Sequence, residues 1–366
     1  MKNRAKKKYC FVIHSLGPGG MERVMSELLH HFAGKNDTEL HLILYGKGRK
    51  KFYSIPDDVK VHQPGWEFDD SRRIFYTIKT LIYLRKKVQE IDPISVLSFG
   101  ELWNNFVLVS LLGTGYKVYV SDRCQPDKKL SGFHEKLRKI LYPKAAGIIA
   151  QTSTAKGIYS KKKLNKNIKV IGNPIRQIHN NNVESGRDNI VLTVGRLIKT
   201  KHHDRLIKIF RQCRTDNWKL VIVGGDAQKQ NGMERLQNLK QKLGMNGDVV
   251  LTGNVKDVEY YYNKSKIFAF TSSSEGFPNV IGEAMSSGLP VISYDCIAGP
   301  SEMIKSGVNG YLIEQFDDED FQKKLSELIK NENLREQMGS MSKKMIENFS
   351  VESIGEQFFS YITEGK

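Results

Sequence analysis

Residues 272–288 read S-S-S-E-G-F-P-N-V-I-G-E-A-M-S-S-G. The apolar run at 267–271 before them fits a buried parallel strand, and Pro278 marks a helix start. Gly288 and Pro290 end that helix, and 290–294 reads as the next buried strand. Strand, loop and helix in this order make one unit of a parallel α/β sheet. The carboxylates of Glu275 and Glu283 bracket the helix start, so acceptors for sugar hydroxyls stand beside backbone donors for a phosphate. That combination suits a nucleotide-sugar.

The same alternation extends in both directions. After this stretch, 311–313 reads as a strand, the acidic run at 317–320 opens a helix over 321–330, and helices near 333–348 and 351–362 finish the chain. Before it, strands are expected at 189–195, 218–224 and 249–253, with helices at 206–213, 233–243 and 258–264. The polar run 177–188 precedes them as a linker. The first half opens with a strand at 8–16, a Gly17-Pro18-Gly19-Gly20 turn and a helix over 21–32. The turn lacks the full G-x-G-x-x-G dinucleotide fingerprint and is weak evidence for a ligand when taken alone. Strands follow at 39–45, 59–62, 94–99, 117–121, 147–152 and 168–171, with helices at 72–88, 103–112 and 133–141. The expected domains are 1–178, a linker at 179–188, 189–349, and a terminal segment 350–366. The class is α/β with two doubly wound halves, whose ligands sit at the carboxyl ends of the strands.

Charge is unevenly spread. The chain carries +17, and residues 1–183 hold 33 Lys and Arg against 15 Asp and Glu. The basic half therefore faces something acidic: a phosphorylated substrate, an anionic membrane or nucleic acid. Helix 72–88 carries Arg72, Arg73, Lys79, Arg85, Lys86 and Lys87 around Ile74, Phe75, Ile78, Leu81, Ile82, Leu84 and Val88. A basic amphipathic helix of this kind can lie on a membrane surface, but its apolar residues are expected to pack on the core and leave a solvated cationic face. Cys10, Cys124, Cys213 and Cys296 lie too far apart in sequence to suggest a disulfide framework or zinc site. The histidine pairs 30–31 and 202–203 point to different helix faces, so no metal is expected. No apolar run is long enough to span a bilayer and no signal peptide is legible. A cytoplasmic protein is expected.

The carboxyl-end loops of the second half supply Arg196 and Lys201 just after a strand, placed to neutralise a leaving diphosphate. Together with 275–294, G-R-L-I-K-T-K at 195–201, G-P-G-G-M-E at 17–22 and G-P-S-E at 299–302, the chain resembles the retaining glycosyltransferases of family four, with the GT-B fold. The resemblance covers almost the whole chain. Within that family it is most similar to bacterial enzymes that build surface polysaccharides and glycans on lipid carriers.

The resemblance implies two Rossmann-like domains facing a cleft and transfer of a hexose or N-acetylhexosamine from a nucleotide-sugar, expected to be a UDP-sugar, to a glycan acceptor on a lipid carrier. Arg196 and Lys201 are then expected on the donor diphosphate and Glu283 on the ribose. Glu275 and the backbone amides of Gly276, Phe277 and Asn279 hold the sugar and distal phosphate. The loop at 253–258, with Gly253 and Val255, meets the base, and Gly19 and Gly20 let the backbone approach the phosphates. Glu275, Arg196 and Lys201 are the expected catalytic set. No cofactor is needed, since the nucleotide-sugar is a co-substrate. The terminal helix is expected to return to the first domain.

The pattern departs from the family after strand 117–121. Relatives often carry a histidine there, whereas this chain has Asp122-Arg123-Cys124, resembling a subset of polysaccharide enzymes with S-x-R. Arg123 is the expected contact for an acceptor phosphate. Peripheral contact of the cationic domain with the anionic inner face of the cell membrane is expected as well, at about 1 kcal/mol per cation close to the surface. An epimerase or an inverting transferase on the same architecture is the alternative. A nucleic-acid-binding protein is a more distant one, because the cations are scattered and form no recognition motif.

Overall fold

The computed structural model describes residues 6–46, 51–179, 186–213, 216–227 and 230–364. It divides into two compact units, one of Met1–Pro174 with Val351–Lys366 and one of Ile175–Ser350.

The first unit is built on a parallel sheet of β1 (Lys7–Ile13), β2 (Thr38–Leu44), β3 (Lys60–His62), β4 (Ser95–Phe99), β5 (Lys117–Ser121), β6 (Gly147–Ala150) and β7 (Ile168–Val170). Their spatial order is β3-β2-β1-β4-β5-β6-β7. The chain winds outward from β1 and then restarts on its other side with β4, so the loops after β1 and β4 open the crevice of this unit. Alternate residues of β1 serve the two faces. Cys10 and Val12 join Leu84, Val88, Val107 and Leu141 from helices Arg73–Ile91, Glu101–Ser110 and Gly132–Leu141. Tyr9 and Phe11 instead meet Phe32 and Phe359 on the opposite face. That second face is closed by helices Gly20–Ala33 and Val351–Glu364.

Val351–Glu364 thus belongs to the first unit. Phe358 lies 6.2 Å from Phe99, Phe359 5.1 Å from Phe32, and Tyr361 5.2 Å from Tyr119, ring centre to ring centre. Glycines let this helix sit close, because a Cβ on Gly355 would meet the His31 ring and one on Gly147 the Tyr361 hydroxyl.

Two expectations change in this unit. Helix Arg73–Ile91 buries only Thr80, Leu84, Val88 and Ile91, and Ile74, Phe75, Ile78 and Ile82 face solvent rather than core. A helix over Ser153–Lys161, unforeseen from the sequence, joins β6 to β7. Its start is fixed by the Thr152 hydroxyl, which accepts from the Ala155 amide at 3.0 Å.

The second unit has β8 (Ile190–Val194), β9 (Lys219–Val223), β10 (Val249–Gly253), β11 (Ile267–Phe270), β12 (Val291–Tyr294) and β13 (Gly310–Ile313). These run parallel in the order β10-β9-β8-β11-β12-β13, which puts the switch point between β8 and β11. The expected linker is displaced. Ile175 and Ile178 are buried in the second unit's core, the Ile178 amide donates to Ser286 Oγ at 3.1 Å, and Arg187 donates to the carbonyls of Tyr262 and Ser265. The polar composition of 177–188 thus conceals residues tied to the second unit, and the boundary falls after Pro174. Residues 180–185 of that linker, and the basic stretch 47–50 between β2 and β3, lie outside the described residues.

Candidate active site

At the switch point of the second unit, the loop after β8 and the loop after β11 are sewn together. The Ser273 amide donates to the Thr200 carbonyl at 2.9 Å, and the Thr271 hydroxyl to the Lys201 carbonyl at 2.9 Å. This brings Lys201 to Glu275, and the ammonium pairs with Glu275 Oε1. The same ammonium stands 5.1 Å from the centre of the Phe270 ring. The aliphatic stem of Lys201 runs along Gly195, where a Cβ would be 3.6 Å from Lys201 Cε. Arg196 projects into solvent one residue after Gly195.

His203 fixes the backbone beneath Arg196. Its ring is buried, and neutral Nε2–H donates to the Arg196 carbonyl at 3.3 Å. Burial pulls its pKa down to about 4, so the imidazole is uncharged at neutral pH. Gly224, at φ +147, passes so close that a Cβ would strike the Gly195 carbonyl oxygen.

Helix Asn279–Ser286 begins beside Glu275. No side chain caps its N-terminus and its first turn holds no acid, which leaves the positive end of the helix dipole to an external anion. Its C-terminus is closed by a Schellman motif, with Leu289 N–H to Ala284 O at 3.0 Å, Gly288 N–H to Met285 O at 2.9 Å, and Gly288 at φ +82. Glu283 is buried one turn in, and Glu283 Oε2 accepts from the Tyr262 hydroxyl at 3.0 Å. Gly253 ends β10 at φ +70, and its carbonyl accepts from Gly224 N–H at 3.0 Å. Val255 packs against the core beside it.

The first unit holds a cleft of its own, of about 620 Å³, lined among others by Gly100, Glu101, Trp103, Arg123, Lys128 and His134. Its floor is a buried network. Asp122 pairs with Arg138 and accepts from the Tyr142 hydroxyl at 2.6 Å and from Asn104 Nδ2 at 3.1 Å. Glu101 Oε1 accepts from the amides of Arg123 and Cys124 at 2.8 and 2.6 Å, and burial together with nearby Asp122 raises its pKa. The Arg123 guanidinium lies 3.7 Å above the Phe99 ring centre and donates to Asn173 Oδ1 at 2.5 Å. Its Nε and Nη2 are buried without a hydrogen-bond partner, and burial lowers its pKa to about 9.

Residues 174–345 match the family model for glycosyl transferases group 1. The amylovoran biosynthesis glycosyltransferase AmsD of Erwinia amylovora is 30% identical over 328 residues, covering 87% of this chain and 88% of that one. The chain belongs to the group 1 glycosyl transferases. A Campylobacter jejuni protein named GalNAc-alpha-(1->4)-GalNAc-alpha-(1->3)-diNAcBac-PP-undecaprenol alpha-1,4-N-acetyl-D-galactosaminyltransferase is 25% identical over 366 residues, covering 98% of this chain and 99% of that one. Among solved structures, Anabaena Alr3699/HepE in complex with UDP superposes with a TM-score of 0.82 at 18% identity, covering 98% of this chain and 100% of the other. Two Rossmann-like sheets of this kind make the GT-B fold.

In this group 1 glycosyltransferase, the switch-point loops bring Lys201 and Glu275 into one ion pair, put Arg196 on the same loop as Lys201, and set Gly276 and Phe277 between Glu275 and the helix. One expected donor is turned away: the Asn279 amide donates to the Phe277 carbonyl at 3.1 Å, because the chain tightens there to enter the helix. The Phe277 side chain is buried against Phe349, which leaves only its backbone for a ligand. In the first unit, Gly19 is extended at φ −169 and Gly20 begins the helix, and the Glu22 carboxylate fills the space that a Cβ on Gly19 would take. His203 and Tyr262, the two residues that hold the Arg196 backbone and Glu283, escaped the sequence reading. The second histidine of the pair after the G-R-L-I-K-T-K run and a tyrosine-rich segment before β11 were the available signals.

Proposed function

We propose that this glycosyltransferase moves a hexose or N-acetylhexosamine, with retention, from a UDP-sugar to a glycan on a lipid carrier during bacterial polysaccharide or surface-glycan assembly. The observation that carries the reading is the Lys201–Glu275 pair beside the uncapped start of helix Asn279–Ser286. An entering diphosphate draws Lys201, Arg196 and the helix dipole, and Glu275 is then released to a sugar hydroxyl. Buried Glu283 accepts from the ribose. The acceptor oxygen bonds to the anomeric carbon on the face from which the diphosphate leaves, and the departing phosphate oxygen takes the acceptor proton. Cations and the dipole carry the leaving charge, so no metal ion is required and EDTA should leave turnover unchanged.

The UDP in the Anabaena structure and the undecaprenol in the Campylobacter name support the choice of donor and acceptor class. The cleft beside Arg123, with Lys128 at its rim, suits the acceptor's phosphate groups. The reading is tested by incubating the protein with UDP-sugars and a lipid-diphosphate-linked glycan and recording the product's anomeric signal by NMR. An α-glycoside from an α-donor supports it; the β-anomer marks an inverting enzyme, and conversion of the donor sugar without transfer marks an epimerase.

A further inference from the structure

Helix Arg73–Ile91 turns two apolar faces outward and inward at once. Its core positions, Thr80, Leu84, Val88 and Ile91, lie about a third of a turn around the helix from a second stripe of Ile74, Ile78 and Ile82, spaced one turn apart. That second stripe is 79%, 52% and 51% exposed, and Phe75 beside it is 59% exposed. The helix packs beside Glu101–Ser110, which packs beside Gly132–Leu141, and on this last helix Phe133 and Ile140 are 69% and 59% exposed. One outer helix layer therefore carries bulky apolar groups on two of its helices, which a water-facing surface does not require.

Cations predominate around these groups. Arg73 and Lys86 on the first helix, Arg72 at its N-cap, and Lys136 and Lys139 on the other helix are exposed, against Asp69 and Asp70 just before the first helix and Glu135 on the second. Arg85 is occupied with the carbonyls of Ser110 and Leu112, and Glu90 is paired with Lys87. At the edge of the stripe a cavity of about 300 Å³ is lined by Trp66, Tyr83, Lys79, Lys86, Lys87, Glu90 and Ile82, with the Lys79 ammonium 4.0 Å above the Trp66 ring centre. Aromatic rings with lysines next to exposed isoleucines match the layering of a bilayer interface, where apolar groups enter the acyl region and cations meet phosphates.

We propose that this helix layer is a membrane-docking face, on which Ile74, Phe75, Ile78 and Ile82 insert into an anionic lipid leaflet while the flanking lysines and arginines bind its headgroups. The attachment is partly hydrophobic, so it goes beyond electrostatic attraction of a basic domain. It does not depend on the donor or the stereochemistry of transfer.

The test is sedimentation of the full chain with phosphatidylcholine vesicles, with and without phosphatidylglycerol, at low and high salt. The wild type should partition onto the anionic vesicles and keep part of that binding at high salt, because insertion is not screened. Ile78→Asp with Ile82→Asp should lower the partition about tenfold or more, with thermal melting and transfer to a water-soluble acceptor unchanged. Arg73→Glu with Lys86→Glu should lower binding chiefly at low salt. Wild-type partition of the Ile78→Asp, Ile82→Asp variant overturns the proposal. So does an oligomer, seen by light scattering, that those two substitutions dissociate, since the face would then seat a second copy.

Discussion

Two side chains meet where the chemistry concentrates. Lys201 and Glu275 come from loops 74 positions apart in sequence and pair because those loops share hydrogen bonds at Thr200 and Thr271. Each partner also restrains the other, so Lys201→Ala and Glu275→Ala should each lower kcat/KM by roughly a hundredfold or more. The double variant should lose much less than the product of the single losses, since the residues act together; steady-state kinetics beside melting curves checks this. His203 adds a pH signature. Its folded pKa of about 4 lies below the 6.5 of an exposed histidine, so the unfolded chain takes up the proton first as pH falls. The stability His203 provides is therefore whole above pH 6.5 and is lost toward pH 4, on the order of 3 kcal/mol. His203→Gln cannot titrate, and its melting temperature should decline less steeply than that of the wild type across this window. The importance of Lys201 and Glu275 was legible from their loops, but the burial of His203 was not, because a histidine after a basic run reads as solvated until the sheet closes over it.

At the scale of elements, strands were easier to read than helix faces. The thirteen strands among the described residues all fall where the sequence placed them, most as apolar runs, since a parallel strand covered on both faces needs a continuous apolar segment; the edge strands β3 (Lys-Val-His) and β7 (Ile-Lys-Val) bury no residue and are the exceptions. Helix Ser153–Lys161 escaped notice because Gly157 and two serines weaken its pattern, and its start depends on one Thr152 hydroxyl. Helix Arg73–Ile91 was recognised as a helix, but both its stripes are apolar, and periodicity cannot tell which one the sheet covers. The terminal helix is the element with the most specific fit. Phe358→Ala should cost about 3–5 kcal/mol of stability, because the ring is fully buried against Phe99 and the helix cannot collapse past the close contact of Gly355 with His31. Urea unfolding gives this value directly, and a loss below about 1 kcal/mol would show that the helix is not docked as described.

For the molecule as a whole, docking of the terminal helix brings its acids to the first unit, which then carries 33 Lys and Arg against 18 Asp and Glu, a net +15. The excess of cations stays in one unit even after that return. Among the described residues no helix is long and apolar enough to cross a membrane. The sequence by itself determined the alternation of strands and helices, the two doubly wound halves, the family, and the loops that carry Arg196, Lys201, Glu275 and Glu283, because these depend on local apolar runs, glycines and fixed spacing. Only the tertiary structure decided that 175–178 belong to the second unit, that Lys201 pairs with Glu275, that the Asn279 amide turns back to Phe277, and that Ile74, Ile78 and Ile82 face outward. Each of these depends on which surfaces meet once distant segments pack, and the pairing of surfaces is not a property of any one stretch of chain.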